Sequence, residues 1–135
     1  MNNIEIHIRE ICRLATQANS TDESIDKAHG LNTELGVSLG DENFINRLKE
    51  KNILEVALEN YLDQLSKAEI EVIHAVMYSG RENESAMYMK KYFKDQNYQK
   101  PDYKRKILEK RMNLVTYLGH GVELAKEGSI NLNEM

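Results

Sequence analysis

Residues 65–84 read LSKAEIEVIHAVMYSGRENE. Ser66-Lys67-Ala68-Glu69 has the form of a capping box. The serine oxygen can accept from the N–H three residues on, and the glutamate can reach back to the serine N–H. Leu65 before the cap and Ile70 at the fourth helical position add the apolar pair of a hydrophobic staple. Beyond the cap, Ile70, Ile73 and Met77 recur on one face, and Val72, Ala75 and Val76 broaden it until the helix is apolar nearly all round. A helix without a polar side belongs at the centre of a domain. Gly80 stands where a left-handed stop is expected, so the spacing predicts a central helix over 67–79.

The pattern on either side is also helical. Ile4, Ile8, Ile11, Ala15 and Ala18, widened by Leu14, give a first helix from Ile4 to Ala18. Ser20-Thr21-Asp22-Glu23 reads as another capping box, opening a short second helix to His29 with Gly30 as its stop. Residues 31–40, LNTELGVSLG, read as a loop whose leucines tuck onto the core. Asp41 caps a third helix carrying Phe44, Ile45 and Leu48, and a fourth runs from Ile53 to Leu65. After the central helix, Ser85 to Gln96 forms a sixth, with Ala86, Met89 and Phe93 inward. Pro101 suits the first turn of a seventh, reaching Leu118 with Tyr103, Ile107, Leu114 and Leu118 on one stripe. Gly119-His120-Gly121 should end it. A short helix from Val122 to Glu127 follows, and 129–135 is expected to fray. The expected fold is all-α: one domain over 1–128, about seven helices, in an irregular or orthogonal bundle.

Bulk composition fits this. The chain has 135 residues, 41% apolar and 30% charged, with no Trp. That length buries a core without disulfides or metals. A single Pro is too little turn punctuation for a sandwich or barrel. The lone Cys12 excludes an intrachain disulfide framework and Cys-Cys zinc motifs, and its place in an apolar stripe reads as a small buried hydrophobe. Charges within the first ten residues, and no run of about 20 apolar residues, lead to the expectation of a cytoplasmic protein with no membrane span.

The net charge of −4 is unevenly placed. Residues 1–75 carry −7, residues 76–111 carry +5, and the last 24 carry −2. Nine bases fall between Lys90 and Arg111, among them Lys90, Lys91, Lys94, Lys104, Arg105 and Arg111. Tyr88, Tyr92, Tyr98 and Tyr103 are interleaved. Bases that follow phosphates and rings that stack on bases are the ingredients of single-strand binding, whereas an acidic protein repels a polyanion. Arg81, just past the expected helix end, can bond the last open carbonyls or, through its fork of donors, an anion or partner.

Catalytic signatures are lacking. His7, His29, His74 and His120 share no metal-ligand spacing. There is no phosphate-binding glycine loop and no Gly-x-Ser-x-Gly. His74 reads as a hydrogen-bonded core or boundary side chain, and His120 as a helix-end charge. Glu55 and Glu59 lie opposite the leucines of their helix and read as a solvated face. No enzyme activity, cofactor or metal is therefore expected.

Leu62-x-x-Leu65, Glu69, the segment Met77-Tyr78-Ser79-Gly80-Arg81, and Tyr117-Leu118-Gly119 before Leu124 together resemble a family of small bacterial helical proteins classed as a domain of unknown function. The resemblance spans roughly 54–128. It differs at Tyr78, where the family-like aromatic is Trp, and at Glu82-Asn83-Glu84, where Gly and Asp are expected. It implies a helical domain and carries no activity or catalytic residue. The functional expectation is a non-enzymatic protein-binding or regulatory module, extending to an immunity-type inhibitor whose acidic half meets a basic toxin. The alternative is nucleic-acid binding by the basic, tyrosine-rich 88–111 region. A homodimer through unlike faces is a further expectation.

Overall fold

In a computed structural model, residues 3–28 and 55–135 are described, with backbone alone over 20–28. Six α-helices appear among them, and no strand: α1 (Ile4–Ala28), α2 (described over 55–64), α3 (Lys67–Glu82), α4 (Ala86–Asp95), α5 (Lys100–Glu109) and α6 (Leu114–Glu127). Short 3₁₀ turns occupy Arg111–Asn113 and Leu132–Glu134. The stop at Gly30, the 31–40 loop and the helix from Asp41 lie outside the described residues.

The capping box forms as its residues dictate. Glu69 N–H donates to Ser66 Oγ at 3.1 Å, and Ser66 N–H donates to Glu69 Oε1 at 2.9 Å. Every residue from Ile70 to Gly80 is buried. α3 packs most extensively on α6, then on α4 and α5, so the helix that is apolar all round is the axis of the fold.

Gly80 does not stop α3. The helix continues to Glu82, and Asn83 takes the left-handed cap at φ 57° with its N–H on the Ser79 carbonyl. Gly80 is there for space. A Cβ on it would lie 1.8 Å from the Tyr117 carbonyl oxygen, and one on Gly121 would lie 2.1 Å from the Val76 carbonyl oxygen. The two glycines let the backbones of α3 and α6 touch. Gly119-His120-Gly121 accordingly sits inside α6 rather than ending a helix, and no separate helix starts at Val122. The segments Met77–Arg81 and Tyr117–Gly119 are thus the two sides of one helix crossing.

Other boundaries also move. The Ser20–Glu23 signature does not begin a helix, because α1 runs through it. Tertiary contact supports the longer helix: Asn19 Nδ2 donates to the Arg111 carbonyl at 3.2 Å, and α1 packs on α6 and on the Arg111–Asn113 turn. The single helix expected from Pro101 to Leu118 is divided by that turn, where Lys110 and Asn113 N–H bond carbonyls three residues back. Its stripe survives the break, since Tyr103, Ile107, Leu114 and Leu118 are all buried. The tail expected to fray packs instead. Leu132 is buried, and Asn133 Oδ1 accepts from the Ile4 N–H at 2.7 Å, satisfying an open donor at the start of α1.

Candidate functional site

Local rules first place the charged residues. Lys104 on α5 lies between two carboxylates of α2, 2.9 Å from Glu59 and 2.7 Å from Asp63. Its hydrogen bonds to Asp63 and Glu59 push its pKa up. Arg111 reaches Glu55 at 2.8 Å. Lys100 donates to the Asp63 carbonyl at 2.7 Å. Arg105 is 3.8 Å from Asp102, and Lys106 is 3.6 Å from Glu109. Lys104, Arg105 and Arg111, expected as a contact face, are therefore engaged in internal pairs. Glu55 and Glu59, expected as a solvated face, are their partners. Three acidic residues of α2 thus meet bases of α5 and the turn after it.

Lys90, Lys91 and Lys94 behave differently. They have no ion pair among the described residues. Residues 87, 90, 91 and 94 form one stripe of α4 by helical spacing, and they line a depression of about 330 Å³ that also includes Glu134 and Met135. Met87 is 60% exposed. Tyr88 and Tyr92 mark the other flank, 57% and 47% exposed, with ring centroids 6.3 Å apart. Between the flanks, Ala86, Met89 and Phe93 anchor α4 on the core.

On the tyrosine flank a second depression, about 430 Å³, opens between α4 and the C-terminal end of α3. Tyr78, Phe93 and Tyr98 line its inner part, Tyr88 and Tyr92 its outer part, and Glu82, Glu84 and Lys106 also border it. Arg81 lies alongside. It pairs with Glu82 at 3.2 Å and stands over the Tyr78 ring, 5.7 Å from its centroid. Arg81 thus occupies the last turn of α3 rather than a position beyond it.

Behind these rings His74 is fully buried, with Phe93 at 4.6 Å and Tyr78 and Tyr103 each at 4.8 Å between centroids. It is a core residue as expected, but not a hydrogen-bonded one. Both ring nitrogens lack a partner among the described residues, as do the Tyr103 hydroxyl and one Glu71 carboxylate oxygen. Burial, aided by the Lys106 charge, lowers the His74 pKa to about 3, so the ring is neutral. His120 is not a helix-end charge: from mid-α6 its Nδ1 donates to the Gly80 carbonyl at 3.0 Å. Cys12 is half-buried against the core, and burial pushes its thiol pKa up, away from the reactive thiolate.

Sequence reading missed one constellation. Tyr61 O–H donates to His7 Nδ1 at 2.7 Å, and His7 Nε2–H donates to Glu69 Oε2 at 2.9 Å. Glu69 is held below the usual carboxylate range, first by the Ser66 backbone bond and also by His7. Burial, with Glu10 and Glu69 nearby, raises the Tyr61 pKa, so the phenol keeps its proton. The relay ties α1 and α2 to the cap of α3. With 54 and 62 residues between the partners, no local pattern announces it.

Among the described residues, no group of three or more His, Cys, Asp or Glu is arranged to hold a metal ion, and no helix is long and apolar enough to cross a membrane. Fold and surface among the described residues define an all-α domain built on one central helix, with exposed lysines and tyrosines on α4. No family model, curated protein or solved structure matches the chain.

Proposed function

We propose that this domain is a non-enzymatic, cytoplasmic protein-binding module that uses the Met87–Lys94 flank of α4 to hold an acidic partner surface. One observation carries this reading. Of the bases expected to form a contact face, Lys104 and Arg111 are engaged across the fold and Arg105 lies 3.8 Å from Asp102, while Lys90, Lys91 and Lys94 are not paired among the described residues. An exposed Met87 within the lysine stripe adds an adaptable apolar contact. An immunity-type role depends on an acidic surface free to meet a basic toxin. Glu55, Glu59 and Asp63 pair with Arg111 and Lys104, and the lysine flank supports an acidic partner.

A photo-cross-linking residue at Lys91 in the native host tests the proposal. We expect a discrete protein adduct that disappears when Lys90 and Lys94 are both changed to Glu. An adduct insensitive to that reversal, or no discrete adduct, counts against it. The stacked Tyr88–Tyr92 pair on the same helix as three lysines, though on its other flank, favours single-stranded nucleic acid as a second reading. Three phosphate contacts give a log–log salt slope of only about −2 for a single strand. Oligonucleotide binding that falls more steeply with salt would require a larger basic surface than α4 supplies.

A further inference from the structure

The aromatic depression lies on the flank of α4 away from the lysine stripe and makes no use of it. Its inner rings are closely set: Tyr78 and Phe93 are 4.7 Å apart, and Phe93 and Tyr98 are 5.1 Å apart between centroids. Tyr78 and Phe93 are buried, while Tyr88 and Tyr92 are exposed at the rim. The space, about 430 Å³, is that of a small-molecule site.

Charges of both signs surround it: Lys106 and Arg81 act on the Tyr78 ring, and two carboxylates stand at the rim. The depression sits at the C-terminal end of α3, the negative pole of the helix dipole, where Asn83 N–H and His120 already cap the Ser79 and Gly80 carbonyls. Glu82 and Glu84 border it. Lys106 opposes them, but its amine is drawn to Glu109 at 3.6 Å. Arg81 neutralises much of Glu82 at 3.2 Å, whereas Glu84 has no ion pair among the described residues. Arg81 also stands over the Tyr78 ring face, so the chain already places a cation on one of these rings. A hard, strongly hydrated cation gains nothing from aromatic walls. A bulky, weakly hydrated one can bury its methyl groups on them and keep its charge near a carboxylate.

We propose that this cleft binds a free small organic cation of the quaternary-ammonium class, its methyl groups against Tyr88, Tyr92 and Phe93 and its charge facing Glu84. The proposal is separate from the partner reading, because it uses neither Met87 nor the three lysines.

The test titrates the full chain with choline and with 3,3-dimethyl-1-butanol, its neutral counterpart of the same shape, following tyrosine ring protons by NMR. Choline should saturate the site, and the neutral compound should bind roughly 2- to 30-fold more weakly, the range a cation–π contribution provides. Glu84→Gln should weaken choline and leave the neutral compound unchanged. Tyr88→Ala combined with Tyr92→Ala should weaken both, and circular dichroism would verify that these exposed substitutions leave the fold intact. Lys91→Glu, on the opposite flank, should not weaken choline, which separates this site from the partner surface. Equal binding of the two compounds, no saturation by about 50 mM choline, or indifference to the tyrosine pair in a folded variant would overturn the proposal.

Discussion

Gly80, Gly119 and Gly121 are all helical, yet an added methyl group has opposite meanings among them. At Gly80 and Gly121 it would strike the backbone of the partner helix, which cannot swing away as a side chain could. Gly80→Ala should therefore cost roughly 1–3 kcal/mol or more, seen as a lower denaturation midpoint. Gly119 is exposed and has nothing within 4 Å of an added Cβ. Gly119→Ala should raise stability by about 0.5–1 kcal/mol through helix propensity alone. Equal midpoints for the two variants would contradict the close crossing. His74 makes the second prediction at this scale. Its folded pKa is lowered to about 3 from an ordinary 6.5, so below pH 6.5 the unfolded chain takes up a proton that the folded one refuses. Stability should fall as pH drops through this window, by about 1.4 kcal/mol per unit from this group alone. His74→Phe keeps a ring among the aromatics and removes the titration. Its stability profile between pH 6 and pH 4 should be flatter than the parent's by nearly one proton, and parallel profiles would show that His74 is not buried as described. The sequence makes the core position of His74 legible through the apolar residues around it. It does not show the absence of partners, which depends on Tyr103 and Phe93 arriving from other helices.

Elements differ in how openly the sequence declares them. The cap of α3 is legible to the residue because its hydrogen bonds span only three positions. The same signature at Ser20–Glu23 misleads, since a capping box is a permission to start a helix and α1 has tertiary reasons to continue. The α2–α5 seam is illegible locally. Its pairs join residues 45 and 56 apart, and along the chain they appear only as an acidic block followed by a basic one. That polarity first reads as two outward faces, and the fold turns Glu55, Glu59 and Asp63 toward Arg111 and Lys104. Side chains of Glu59 and Asp63 are 46% and 51% exposed, so the seam orients the helices more than it stabilises them. A double-mutant cycle with Lys104→Met and Glu59→Gln should give a coupling of roughly 0.2–1 kcal/mol, reduced by added salt. A coupling above about 2 kcal/mol would mean a desolvated pair, outside the range of exposed ones.

At the scale of the whole molecule, stability should be graded outward from α3. The apolar circumference of residues 70–77 announces a central helix, and the structure surrounds that helix with α4, α5 and α6. What the pattern cannot announce is how close the surrounding helices come, because a glycine that permits contact looks the same as one that ends a helix. The resulting architecture has unequal parts. From Ile70 to Gly80 no α3 residue can be exposed without separating it from its neighbours, so its amides should exchange only through global unfolding, typically about 5–15 kcal/mol for a domain. α4 is ten residues long and holds to the core by Ala86, Met89 and Phe93. Two large side chains at roughly 1.5–3 kcal/mol each set a smaller cost for releasing it. Native-state hydrogen exchange should therefore show α4 opening alone, with little denaturant dependence and protection at least about 100-fold below that of α3. If α4 and α3 exchanged together in the absence of denaturant, the two helices would form one cooperative unit. The exposed face of α4 would then belong to the rigid core rather than to an element free to adjust to what it binds.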